Sequence, residues 1–351
     1  MAVPTAHPPT ATLAPTKPAV APFRGFAVFD KSKGAVIGYD PTGKTVLYKY
    51  ITPGISMMGF GDSQVVGDTL FYWSQNDQTI IEVTKSAALK LTFIPKKDVI
   101  GFAVSPDGKK IAWAVENYKS QNPASDLWVA GIDGKNAKIV TSIDPKDNNK
   151  WMVLRPYQWL ADGRLLYVQS PTGIGGYILF GGYGGFAIYD PANSAKPITT
   201  LVDPVSVGGM CVHGISPDLK KVIVSCGTKE TGQLGFKEIS TGNLINIPML
   251  PEQGAAGSPT YSPSGKWIAY ASARHEPDNE AGKIALLPAA GGDPKVLASF
   301  ANGFADVNSW IDEDHILLST YQGDQPQIWV INRDGSGLAT LVNGYFIGLI
   351  K

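Results

Sequence analysis

The sequence predicts an all-β fold, a seven-bladed β-propeller of four-stranded antiparallel blades. Three observations predict it. A short hairpin pattern recurs along the chain; its copies lie close to the ~40–50 residues that one four-stranded blade needs; and the first blade lacks a strand that the end of the chain supplies. The composition agrees. With 39 Gly and 26 Pro among 351 residues, and many aromatic and β-branched side chains, short strands joined by many turns are expected.

Residues 1–22 contain six prolines, four threonines and one lysine, Lys17. They carry no periodic apolar face, so they read as an extended linker ahead of a propeller domain at 23–351. A Pro/Thr-rich leader of this kind resembles the spacer after the lipid-anchored cysteine of bacterial surface lipoproteins. It implies an exported protein, periplasmic or at the cell surface. The signal and any lipid anchor would lie outside this sequence.

Next come Phe26 to Asp30, Ala35 to Asp40 and Thr45 to Ile51, strands B, C and D of a blade that has no innermost strand A. The hairpin follows in six copies. They turn at Val66-Gly67-Asp68-Thr69, Ser105-Pro106-Asp107-Gly108, Leu160-Ala161-Asp162-Gly163, Ser216-Pro217-Asp218-Leu219, Ser262-Pro263-Ser264-Gly265 and Ile311-Asp312-Glu313-Asp314. The copy from Phe102 to Val115 shows the physics best. Apolar residues alternate on both sides, Pro106 presets a negative φ, and Asp107 and Gly108 supply the corners of a tight reversal. Third strands follow at Leu127 to Ile132, Phe186 to Tyr189, Ile284 to Leu287 and Ile328 to Ile331. Fourth strands follow at Ala137 to Thr141 and Leu338 to Val342. Finally Tyr345 to Ile350, YFIGLI, arrives where a new strand A is due, and is expected to close the ring inside the first blade.

The repeats Ser-Pro-Asp-Gly-Lys-Lys-Ile-Ala-Trp at 105–113, Ser-Pro-Ser-Gly-Lys-Trp-Ile-Ala-Tyr at 262–270 and QIWVINRDGSGLAT at 327–340 resemble those of TolB-like β-propellers. The likeness runs over about residues 23–351. It implies a binding platform or the gating half of a prolyl-oligopeptidase-like hydrolase, and no Gly-x-Ser-x-Gly nucleophile elbow supports the second. The Gly-His and Trp-Asp signatures of WD repeats are missing, as is the spacing of sialidase Asp-boxes.

Charge bounds the partners. Lys plus Arg equals Asp plus Glu at 30 each, so the net field that drives nonspecific nucleic-acid binding is absent. No apolar run approaches the roughly 20 residues of a membrane span. No cofactor or metal is expected, since only four histidines are available.

Candidate ligand-binding residues follow from the ring. Six positions upstream of each turn lie Gly61, Ile100, Arg155, Cys211, Gly257 and Asp306, near one mouth of the axial channel. There Arg155, Asp306 and Asp62 could form a polar ring. His213, on an innermost strand, faces the channel or hydrogen-bonds a neighbouring carbonyl. Arg274 and His275 belong to a polar loop of the sixth blade. Trp151, Tyr157, Tyr177 and Tyr183 offer aromatic surface in loops of the same face, the last two in a glycine-rich stretch with no phosphate-binding signature.

These features predict a noncatalytic platform for a protein, peptide or glycan. The competing readings are a lyase or hydrolase using His213 with Arg155 or Asp306, and an accessory subunit with an apolar patch on its outer strands. The two cysteines, Cys211 and Cys226, are expected to form a disulfide. Ser216 and Lys221 flank the fifth turn, and counting outward places 211 opposite 226 at a non-hydrogen-bonded pair about 4.5 Å apart.

Overall fold

The computed structural model describes residues 22–55, 62–96, 98–117, 124–144, 152–171, 180–203, 211–274, 281–321 and 325–351. They form seven four-stranded antiparallel sheets, the blades of a propeller. Blade 1 contributes β1 (Gly25–Asp30), β2 (Ala35–Tyr39) and β3 (Val46–Ile51), and blade 2 β4 (Ser63–Val66), β5 (Thr69–Ser74), β6 (Thr79–Val83) and β7 (Ala88–Lys90). Blade 3 holds β8 (Val99–Val104), β9 (Lys110–Asn117), β10 (Ala124–Gly131) and β11 (Lys138–Ile143). Blade 4 holds β12 (Met152–Trp159), β13 (Leu165–Pro171), β14 (Gly185–Tyr189) and β15 (Ile198–Val202). In blade 5 are β16 (Val212–Ile215), β17 (Lys221–Val224), β18 (Gly235–Glu238) and β19 (Leu244–Asn246). Blade 6 follows with β20 (Ala255–Tyr261), β21 (Trp267–Ala273), β22 (Lys283–Pro288) and β23 (Lys295–Ser299). Blade 7 ends with β24 (Ala305–Trp310), β25 (His315–Thr320), β26 (Gln327–Asn332) and β27 (Ala339–Asn343).

The last strand, β28 (Tyr345–Ile350), completes blade 1 in the order β28-β1-β2-β3. Ring closure is therefore the expected clasp. Gly25 pairs with Ile350 and Phe29 with Tyr345, and Arg24 N–H donates to the Ile350 carbonyl at 2.8 Å. No helix among the described residues is long and apolar enough to cross a membrane.

Each turn works as its residues suggest. Ser105 Oγ donates to Asp107 Oδ1 at 2.6 Å and accepts from Lys110 N–H at 2.9 Å, and Gly108 takes the left-handed corner at φ 69°. The fifth turn repeats the bonds with Ser216, Asp218 and Lys221, but Leu219 occupies that corner at φ 61°. A Cβ is disfavoured there, and Leu219 is kept by packing on the core of blades 4 and 5.

The core lies between blades. Phe71 and Ile80 of blade 2 pack on Phe102, Ile111 and Trp113 of blade 3. Side-chain bonds pin neighbouring inner strands: Gln64 accepts from Val104 N–H at 2.8 Å and donates to its carbonyl at 3.0 Å. The indoles of Trp159 and Trp310 donate to the carbonyls of Ala103 and Thr260, at 3.0 and 2.9 Å, in the preceding blade.

One register differs from the expected one. Cys211 and Cys226 are disulfide-bonded, with Cα atoms 5.3 Å apart. A β-bulge between Val212 and Gly214 shifts the ladder by one residue, so Ser225 N–H, not that of Cys226, bonds to the Cys211 carbonyl at 2.9 Å. The turn-based count assumed an unbroken ladder, and the bridge is diagonal.

Candidate functional site

That bulge has counterparts. The inner strand is irregular at Ile100 in blade 3, Tyr157 in blade 4, His213 in blade 5, Ser258 and Pro259 in blade 6, Asn308 in blade 7 and Ile347 of the clasp. A bulge leaves one residue out of the ladder and re-aims its side chain. In blades 4 to 7 it falls before the A–B turn, and His213 and Asp306 stand near the start of their inner strands, at the end away from that turn.

Two groups form there. The first spans blades 4 to 6. Residues 180–184, just before β14, lie along blade 5: Tyr183 and Val212 exchange backbone hydrogen bonds of 2.7 and 2.9 Å. The Gly181 carbonyl meets His213 Nδ1 at 3.0 Å, and His213 Nε2 meets Ser225 Oγ at 2.8 Å. Burial holds the His213 imidazole below its ordinary pKa, so the neutral ring, donating from Nδ1 and accepting at Nε2, is favoured. Phe180 continues to blade 6, where Gly257 leaves it room. A Cβ at 257 would stand 2.2 Å from Phe180. Tyr157 and Tyr183 join Phe186 in an edge-to-face cluster, with centroids 5.2 to 5.7 Å apart.

The second group spans blades 6 and 7. Asp306 Oδ1 accepts from Ser258 Oγ at 2.6 Å, and the Tyr321 hydroxyl also bonds to this carboxyl. Burial pushes the Asp306 pKa up, opposed by those two hydroxyls. Tyr321 lies in a parallel stack with Phe304, centroids 4.5 Å apart, and its N–H donates to the Phe304 carbonyl at 3.1 Å. Its phenol is pushed up by burial and by the nearby carboxyl, with the Tyr345 phenol of the clasp beyond it. Ser258 sits in the left-handed region at φ 48°.

Of the sequence candidates, Arg155 and Asp306 occupy blades 4 and 7 and form no ion pair with each other. The Arg155 guanidinium donates instead to the Ile100 carbonyl at the blade 3 bulge. Arg274 faces Glu252 at 3.8 Å, an exposed pair worth little. The Asp62 carbonyl accepts from Trp73 N–H at 2.8 Å. Trp151, Tyr177 and His275 lie outside the described residues. His213 proves to be the carbonyl-bonded histidine. Sequence reasoning missed Ser258, Phe304, Tyr321 and Phe180. The bulge hides Ser258 and Tyr321 is the first residue after strand B, though continuing the Asp306–Ser319 pairing outward would have placed it opposite Phe304.

No described protein family and no curated protein matches the chain. Solved structures do match in fold. An oligogalacturonate lyase from Vibrio parahaemolyticus aligns at a TM-score of 0.54 with 11% identity, over 88% of this chain and 89% of the lyase. Prolyl oligopeptidase B from Galerina marginata aligns at 0.54 with 11% identity, over 92% of this chain and 52% of that enzyme. TolB from Acinetobacter baumannii aligns at 0.45 with 15% identity, over 89% and 77%. At such identities the likeness is one of fold. The chain adopts the seven-bladed propeller fold that its repeats imply.

Proposed function

We propose that this protein is a noncatalytic, exported binding module that takes a protein, peptide or glycan ligand at the loop face and channel mouth. The observation that carries this reading is the convergence at one mouth of side chains from blades 5, 6 and 7, with Phe180 and the Gly181 carbonyl from blade 4. Such a mixture of aromatic faces, hydroxyls and one carboxyl suits a polar ligand with some apolar surface. The disulfide supports export, because such bonds persist in oxidising compartments. In this reading residues 1–22 are a spacer, tethered to a membrane through an N-terminal lipid.

Peptide and glycan arrays probed with the purified protein test it. Phe304→Ala, which removes one exposed-side wall, should lower retained binding at least tenfold. Its melting temperature should stay within a few degrees of the parent. A ligand-bound structure with the ligand on the outer strands would overturn the reading. Arg155 is the poorer probe, because its guanidinium holds the Ile100 backbone and its loss would also cost stability.

One observation favours a second reading, an enzyme with its site in the channel: the partly buried Asp306 carboxyl beside the Tyr321 phenol could exchange a proton with a substrate. The fold likeness to an oligogalacturonate lyase makes an acidic polysaccharide the first substrate to try. Formation of unsaturated product from polygalacturonate by the parent and not by Asp306→Asn would decide for it.

A further inference from the structure

Asp306 is a partly buried carboxyl with two hydroxyl donors and, among the described residues, no ion pair. Buried carboxylates are ordinarily paired with a cation, because two hydroxyl bonds do not replace the hydration that a full charge loses. Three described basic groups of blades 5 and 6 are engaged elsewhere. Arg274 faces Glu252, Lys283 Nζ donates to the Pro251 carbonyl at 3.0 Å, and His213 bonds to Gly181 and Ser225. Beside the carboxyl stands the Phe304–Tyr321 stack, and Tyr321 remains 37% exposed. Aromatic faces attract cations, and more strongly where water is excluded. A neutral hydroxyl ligand could bond to the carboxyl but would leave its charge uncompensated.

Taking the mouth as a ligand site, which is the reading proposed above, we infer that it holds a primary ammonium group, from a lysine side chain or a chain N-terminus, against the Asp306 carboxyl and beside the Phe304–Tyr321 stack. An ammonium supplies the missing charge and carries three donors for the carboxylate and the hydroxyl oxygens around it. The binding is linked to protons. Tyr321 is the titratable group facing Asp306, and its phenol, pushed up by burial, stays neutral at ordinary pH. Affinity should therefore rise as pH increases through the titration of Asp306.

Calorimetric titration of the full chain with three capped peptides tests this. Acetyl-Gly-Lys-Gly-amide carries the side-chain ammonium, Gly-Gly-Gly-amide the N-terminal one, and acetyl-Gly-norleucine-Gly-amide neither. At least one ammonium peptide should bind tenfold or more tightly than the norleucine peptide, and the two charged arms identify the source. Asp306→Asn should abolish the preference, and Phe304→Leu should weaken both charged peptides several-fold while preserving their order. Equal binding of charged and neutral peptides, or a preference that survives Asp306→Asn in folded protein, would overturn the inference. Array ligands lost on Phe304→Ala without any ammonium preference would leave the binding reading intact. Array ligands retained in full by folded Phe304→Ala would sink that reading, and the inference with it.

Discussion

Burial makes the charged forms of Asp306 and His213 costlier, and this gives stability opposite slopes with pH. The Asp306 pKa in the folded chain lies above its ordinary 3.8, so the folded state holds a proton that the unfolded state releases. Stability is then lost as pH rises from 3.8 through the raised value, and Asp306→Asn should flatten the urea midpoint across that window. The His213 pKa lies below its ordinary 6.5, so the unfolded chain takes up the proton first and stability falls as pH drops below 6.5. His213→Gln should reduce that acid loss, again read from the urea midpoint. A third residue-scale expectation concerns Gly257→Ala. The new Cβ displaces Phe180, costing roughly 1–3 kcal/mol and raising chymotryptic cleavage after Phe180. Asp306 itself could be found by counting back from the turn, since the inner strand carries it from blade to mouth. Its partners could not, because Ser258 lies in a bulge and Tyr321 one residue beyond strand B, and neither position follows from alternation alone.

At the scale of the element, hairpins and their order were readable because each turn carries its own chemistry in Ser, Pro, Asp and Gly. The fifth blade shows where local reading stops. Its cysteine pair was legible as a pair, whereas the bulge at His213 depends on contacts with residues 180–184 of another blade. Intact mass of unreduced, denatured protein after alkylation should show no modified thiol. Replacing both cysteines by alanine should cost about 3 kcal/mol, the loop-closure value for a 15-residue separation. The clasp was legible for a simpler reason: a blade with three strands needs a fourth. Deleting Tyr345 to Lys351 uncovers Phe26 and Val28, both fully buried, and should lower the melting temperature by roughly 10 °C or more, measured by calorimetry.

Across the whole molecule, the propeller was legible because repetition multiplies a weak local signal, and seven similar sheets leave few ways to close a ring. The ligand was not, because the mouth takes single residues from different blades, more than a hundred positions apart in some cases, such as Tyr345 and Ser258 against Tyr157. The apolar side chains exposed on outer strands, Val46, Ile51, Leu89, Ile139, Ile245 and Val296, are spread over five blades. That distribution gives little support to an accessory subunit docked through one broad face.

The clasp also fixes how the ring answers to force. Gly25 and Ile350 sit opposite each other at the open end of the β1–β28 ladder. A pull applied between them runs across the strands, so the hydrogen bonds are loaded one at a time instead of together in shear. A closure that resists heat through buried area is therefore compliant under tension. Held in an optical trap by residues 24 and 351, the protein should first give a short extension as β28 peels from β1, with the blades that carry the mouth still folded.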